Sequence, residues 1–125
     1  KCSVLVVDDE PSILAILAGQ LAPEFDVQTA CSADQARRIL QDRPTDIVLT
    51  DLQLPDASGI HFLDWVHRAS PRTARVLLTG TARIEDAADA INCCRVHRLV
   101  LKPWRTEDLL TTLRAVARGV LLERS

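Results

Sequence analysis

One feature constrains this chain more than any other. Short β-branched apolar runs, Val4 to Val7, Ile47 to Leu49, Val76 to Leu78 and Leu99 to Leu101, recur between polar residues and are separated by stretches of helical periodicity. A strand with no polar residue on either side must be covered on both faces, and a parallel sheet sandwiched between helices provides that cover. A weaker run from Asp26 to Ala30 has Phe25, Val27 and Thr29 on one face, the pattern of an edge strand. Five strands result.

The intervening segments read as helices. Ile13, Leu14, Leu17 and Leu21 form an apolar stripe after Pro11, a residue suited to a first helical turn. Ser32 with Gln35 reads as a capping box opening a second helix that carries Ala36, Ile39 and Leu40. Ile60, Leu63 and Val66 mark a third helix, and Ile84, Ala87, Ala88 and Ile91 a fourth. Thr106 is the expected cap of a fifth, with Leu109, Leu110, Leu113, Val116, Ala117 and Val120 on its buried side. The sum is a (βα)5 domain over residues 1–125, an α/β three-layer sandwich with right-handed crossovers and helices on both faces of a parallel sheet.

Composition narrows the function classes. A chain of 125 residues buries enough surface to fold without disulfides or a structural metal. Its apolar runs are a few residues long, far below the roughly 20 needed to span a bilayer, and no signal peptide is seen, so a cytoplasmic protein without membrane contact is expected. Fifteen Lys and Arg against seventeen Asp and Glu leave no basic excess for a phosphate backbone, which argues against direct nucleic-acid binding. Cys2, Cys31, Cys93 and Cys94 have neither disulfide nor metal-ligand spacing and read as reduced thiols packed as small hydrophobes. His61, His67 and His97 lack the spacing of a zinc site. The chain starts at Lys1 and contains no Met, as a piece of a longer protein would.

In open parallel sheets ligands bind beyond the C-terminal strand ends. Here the first strand runs into Asp8, Asp9 and Glu10, the third into Thr50 and Asp51, the fourth into Thr79 and Gly80, and the fifth into Lys102 and Pro103. Carboxylates crowded at adjacent strand ends repel; two charges about 4 Å apart cost roughly 4 kcal/mol at an effective dielectric near 20. Protonation, the approach of Lys102, or a hard divalent cation relieves this. Carboxylate oxygens without His or Cys select Mg²⁺, which shares its shell with water and phosphate. The parts suit phosphoryl transfer: Asp51 as nucleophile, Mg²⁺ on Asp8 and Asp9, Lys102 as cationic clamp, and Thr79 offering a hydroxyl to a phosphoryl oxygen.

These residues resemble a known family. VLVVDDEPS at 4 to 12, DIVLTDLQLPDASG at 46 to 59, RVLLTG at 75 to 80 and LVLKPW at 99 to 104 occur in the order found in the receiver, or phospho-acceptor, domains of bacterial two-component response regulators. The resemblance implies a flavodoxin-like sheet of order 2-1-3-4-5 and phosphorylation of Asp51 by a sensor histidine kinase or phosphotransfer protein. It also implies direct Mg²⁺ ligation by Asp9 and Asp51, ligation by Asp8 through water, and a ligand from the backbone carbonyl of Gln53. Lys102 would pair with the phosphoryl group, Thr79 would act as the switch residue, and the Lys102–Pro103 bond would be cis. Leu99 departs from the pattern, since the family usually has Tyr or Phe there, and this puts aromatic coupling to Thr79 in doubt. The stretch from Ala90 to Trp104, AINCCRVHRLVLKPW, is similar to receivers joined to HD-GYP phosphodiesterase or kinase domains, which implies an output domain outside this chain.

Plainer roles fit other residues. Glu10 reads as a solvated first-turn acid, Asp56 as a residue shaping the Pro55 to Gly59 turn, and Trp65 and Trp104 as packing anchors. Gln53 and Thr81 flank the expected phosphoryl position. Arg95, Arg98, Glu85, Asp89, Glu107 and Asp108 give the face formed by the fourth helix, fifth strand and last helix a mixed charge, which makes it a candidate homodimer surface. A haloacid-dehalogenase-type phosphatase would need an acid two residues after its nucleophile, and Gln53 stands there. A flavin carrier would need a Ser, Thr and Gly cradle where this chain has Asp-Asp-Glu-Pro. A pseudo-receiver that switches without phosphate is supported only by Leu99, since Asp8, Asp9, Asp51, Thr79 and Lys102 are all present; the resemblance implies a phosphorylation-dependent switch whose only chemistry is on its own Asp51.

Overall fold

Successive residues of a strand point to opposite faces, and the first strand shows how this divides the core. Val4 and Val6 belong to one buried cluster, Leu5 and Val7 to the other. The computed structural model of the chain describes residues 1–80, 88, 92 and 95–124. In it the elements run β1 (Ser3–Val7), α1 (Pro11–Leu21), β2 (Asp26–Ala30), α2 (Ala33–Asp42), β3 (Ile47–Asp51), α3 (Gly59–Ala69), β4 (Ala74–Gly80), β5 (Arg98–Lys102) and a C-terminal helix (Thr106–Arg124). The fourth expected helix, over Ile84 to Ile91, lies outside the described residues, as do Thr81, Glu85, Asp89, Cys93 and Cys94.

All strand pairings are parallel, and the order is β2-β1-β3-β4-β5, as expected. Leu17, Leu21, Leu109, Leu113, Val116 and Val120 bring α1 and the C-terminal helix onto the Val4 and Val6 face. Ala33, Ala36, Phe62, Leu63 and Val66 bring α2 and α3 onto the other. This is the three-layer sandwich. At its lower edge Ser3 and Asp46 staple β1 to β3: the Ser3 amide donates to Asp46 Oδ2 (2.9 Å) and the Asp46 amide to Ser3 Oγ (2.9 Å).

Local expectations meet several refinements. Ser32 Oγ accepts from the Gln35 amide (3.1 Å), but the returning Gln35 Oε1 takes the amide of Cys31 (2.8 Å) rather than that of Ser32. Cys31 is exposed and its thiol also faces Gln35 Oε1, so it is not a packed hydrophobe, whereas half-buried Cys2 packs on the first cluster. Thr106 is the first residue of the C-terminal helix, and its hydroxyl accepts from Gln20 Nε2 (3.0 Å). Glu10 is the N-cap of α1 and makes no side-chain cap bond; Pro11 follows at the position that lacks a helical partner for its missing N–H. Phe25 precedes β2, closing the turn after α1 through a bond from its amide to Leu21 O.

Candidate functional site

Register decides which strand-end residues meet. Val7 pairs with Thr50, so Asp8 and Asp51 emerge side by side from adjacent strands, and the Asp8 amide extends the β1–β2 ladder by donating to Ala30 O (3.1 Å). Lys102 ends β5, two strand spacings from β3, or about 9–10 Å. Its long side chain spans that gap: Nζ lies 3.3 Å from Asp51 Oδ1 and 3.8 Å from Asp8 Oδ2. A shorter cation could not reach.

Carboxylate oxygens of Asp8, Asp9 and Asp51 all lie within 4.8 Å of one another. Asp8 is 1% exposed. Its Oδ1 accepts from the Glu10 amide (2.9 Å), while its buried Oδ2 has no hydrogen-bond partner. Burial raises the Asp8 pKa, and the nearby charges of Asp51 and Asp9 push the same way; the Glu10 amide and Lys102 oppose them. Burial and like charge win. In Asp51, Oδ1 takes both the Leu52 amide (2.8 Å) and Lys102, and among the described residues no hydrogen bond reaches Oδ2. One oxygen is thus anchored and the other is open.

The cluster fits a hard cation. Its donors are all carboxylate oxygens, one of them buried and orphaned, and a single lysine does not balance three acids. Among the described residues no other group of His, Cys, Asp or Glu has this geometry.

Thr79 is buried one residue beyond Leu78, the partner of Asp51 in register. Its hydroxyl donates to Gly80 O (3.3 Å), and among the described residues it makes no hydrogen bond to Asp51. Gln53 lies two residues past Asp51, in a loop closed by a Gln53–Ser58 bridge and by the Leu54 amide on Ala57 O (3.1 Å). Lys102–Pro103 is cis. Leu99 is half-buried against the cluster that contains its β4 partner Leu77. Trp104 and Trp65 are anchors as expected: Trp104 Nε1 donates to Gln20 Oε1 (2.8 Å), and Trp65 stacks on Phe62 beneath Arg37.

Two residues matter more than their sequence reading allowed. A Cβ at Gly59 would collide with the carbonyl oxygen of Asp51 and lie 2.9 Å from Leu52 Cα, so the start of α3 can press on the end of β3 only because glycine stands there. The P-D-A-S-G string signalled a turn but not this approach. Asp56, read as a turn residue, instead caps α2 from a distant loop. Its Oδ1 accepts from the Ala33 amide and its Oδ2 from the Asp34 amide, both at 2.9 Å. The separation of 23 positions between Asp56 and Ala33 hid that contact.

Comparison with known proteins agrees with this geometry. A family model described as the response regulator receiver domain matches residues 4–114. The hydrogenase transcriptional regulatory protein HoxA of Cupriavidus necator is 35% identical over 114 residues, covering 91% of this chain and 24% of HoxA. The signal receiver domain of an HD domain-containing protein from Pseudomonas fluorescens Pf-5 superposes with a TM-score of 0.94 at 34% identity, covering 99% of this chain and 92% of that one. NtrX from Brucella abortus gives 0.91 at 29% identity, covering 98% of this chain and 28% of NtrX. The chain spans about a quarter of the length of the curated relatives it matches. A flavodoxin-like sheet of order 2-1-3-4-5, acidic residues converging at its C-terminal edge and a match over nearly the whole length lead to one assignment: the chain belongs to the response regulator receiver domain family, the phosphorylation-dependent signalling module of two-component systems.

Proposed function

We propose that Asp51 is the phospho-acceptor. The observation that carries this reading is the asymmetry of its carboxylate, with Oδ1 held by the Leu52 amide and Lys102 and Oδ2 open beside two further acids. Oδ2 attacks the phosphorus of a phosphohistidine on a sensor kinase or phosphotransfer protein. The P–O bond forms, the P–N bond breaks, the bonding electron pair leaves with the donor imidazole nitrogen, and solvent protonates that nitrogen. Asp8, Asp9, Asp51 and the Gln53 backbone carbonyl would hold Mg²⁺. When bound, the ion supplies charge neutralisation for the carboxylates and the incoming phosphoryl oxygens.

Lys102 serves the other side. Already 3.3 Å from Asp51, it is placed to pair with a phosphoryl oxygen as negative charge builds there. Among the described residues the Thr79 hydroxyl bonds only Gly80 O at its own strand end, so turning toward the phosphoryl group exchanges one long bond for a charge-assisted one. That exchange is a two-state element which phosphorylation biases. With leucine at 99, the coupled movement is repacking of an aliphatic side chain. The chain's own chemistry is confined to Asp51, and its product is a conformation.

The output lies in a linked domain of a longer parent. HoxA is named a transcriptional regulator, and the Pseudomonas receiver comes from an HD domain-containing protein. The latter accords with the similarity of Ala90 to Trp104 to receivers of that kind. Exposed Arg95, Arg98, Glu107 and Asp108 leave the β5 and C-terminal-helix face available to a second copy.

Intact-mass measurement after incubation with Mg²⁺ and acetyl phosphate tests the reading. Wild type is expected to gain one phosphoryl group that Asp51→Asn does not. No gain in wild type, or an equal gain in Asp51→Asn, overturns it.

A further inference from the structure

Resting on the metal-site reading above, we infer that Asp56 is a positioning residue for that site, a strut that fixes the 52–58 loop against the N-terminus of α2 and so fixes the Gln53 carbonyl and Asp51 beside it. Three observations carry this. First, both Asp56 oxygens are engaged, each by a separate backbone amide of α2, at 2.9 Å. A two-point attachment of a planar carboxylate restrains orientation as well as distance. Second, the loop has little freedom of its own between that attachment and the site. Leu54 and Ala57 close it, Gln53 and Ser58 bridge it, and the Gly59 amide donates to Leu52 O at 2.5 Å. Third, Gly59 leaves no clearance over the Asp51 carbonyl, so a shift of the loop transmits directly to the acceptor strand.

The contact does not belong to α2's own needs alone. Ser32 already caps that helix through the Gln35 amide, so Asp56 takes the two first-turn donors that Ser32 leaves. The macrodipole of α2 adds attraction for the carboxylate, and the two amide bonds lower the Asp56 pKa. A helix of ten residues, seated on the core through Ala33 and Ala36, is a firm support for a loop that must present a carbonyl oxygen to a cation.

The test uses Mn²⁺ as the probe, titrated into the 125-residue chain with the free ion read by electron paramagnetic resonance, beside hydrogen exchange at the Ala33 and Asp34 amides. Asp56→Ala is expected to speed exchange at both amides and to weaken Mn²⁺ binding by about tenfold, the usual cost of losing an outer support of a metal site. Asp56→Asn, which keeps one oxygen acceptor, should fall between wild type and Asp56→Ala. Ser32→Ala, which weakens the same helix end without touching the loop, should leave Mn²⁺ affinity unchanged. Three results overturn the inference: Asp56→Ala loses amide protection yet binds Mn²⁺ like wild type; Asp56→Asn and Asp56→Ala weaken binding equally, which would make charge alone responsible; or Ser32→Ala weakens binding as much as Asp56→Ala. If wild type binds no Mn²⁺, the metal-site reading itself falls, a distinct outcome that no Asp56 variant can mimic.

Discussion

At the scale of single residues, Asp8 carries a cost that Lys102 only partly relieves. Its Oδ2 is buried without a hydrogen bond, and its pKa is raised above the ordinary value of 3.8 by burial first and by Asp51 and Asp9 after it. The sign of the pH effect follows. Between its ordinary and raised values the folded state binds the proton more tightly than the unfolded chain, so this group's contribution to stability falls as pH rises through that window. Urea midpoints measured in EDTA from pH 4 to pH 7 are therefore expected to favour Asp8→Asn increasingly over wild type, approaching about 1–3 kcal/mol, the usual cost of an unsatisfied buried polar group. A constant difference across that range would place the cost elsewhere. Gly59 is the opposite case, a residue whose value is an absence. Gly59→Ala drives a methyl group into the Asp51 carbonyl and is expected to cost about 1–3 kcal/mol in urea unfolding, with the loss concentrated where β3 hands over to α3.

Elements are held by different means at the two ends of the sheet. At the functional end the ladder gives way to side chains. At the opposite end His97 immediately precedes β5; its amide donates to Arg75 O (2.8 Å) and its Nδ1 accepts from the Arg75 amide (3.0 Å). His97 thus partners both the N–H and the C=O of one β4 residue, Arg75, its imidazole standing in for a strand carbonyl. The Nδ1 atom must be the acceptor, which assigns the proton to Nε2. Arg75 itself is buried within β4, with Nη1 on Thr73 O (2.7 Å). His97→Ala is expected to cost about 1 kcal/mol, the net worth of one hydrogen bond, and to speed exchange of the Arg75 amide without changing phosphoryl uptake at Asp51. The C-terminal helix shows a contrast along one element. Leu113, fully buried, should cost about 2–5 kcal/mol on truncation to Ala, whereas Leu122, 75% exposed, should cost almost nothing in the same urea assay.

For the whole molecule, the proposed cation site makes ion binding and folding one equilibrium. A ligand that binds only the folded chain stabilises it by mass action, by about 2.7 kcal/mol at a hundredfold excess over Kd. Adding Mg²⁺ should therefore raise the urea midpoint of wild type, while Asp8→Asn, already relieved of its charge, should gain little; equal gains would separate the ion from this cluster. How much of this was legible beforehand follows from the range of the interactions involved. Strand runs, helix stripes and the Ser32 cap are local patterns, with periods of two and 3.6 residues, and they announced the five strands and the four helices that lie among the described residues, while the sheet order followed from the family resemblance. Asp8, Asp9, Asp51, Thr79 and Lys102 were legible because a parallel sheet delivers strand ends to one edge, so position in the chain implied position in space. Asp56 on α2, Gly59 on the Asp51 carbonyl and the imidazole of His97 in the β4 ladder were not, because each joins a side chain to backbone that carries no residue-specific signal. The sequence by itself determined which residues gather at the C-terminal edge of the sheet, since parallel strands separated by helices deliver their C-terminal ends to one side. Only the tertiary structure decided which oxygen of Asp51 is anchored and which is open, because that depends on angstrom-scale placement of Lys102 and the 52–58 loop by helices packed on opposite faces.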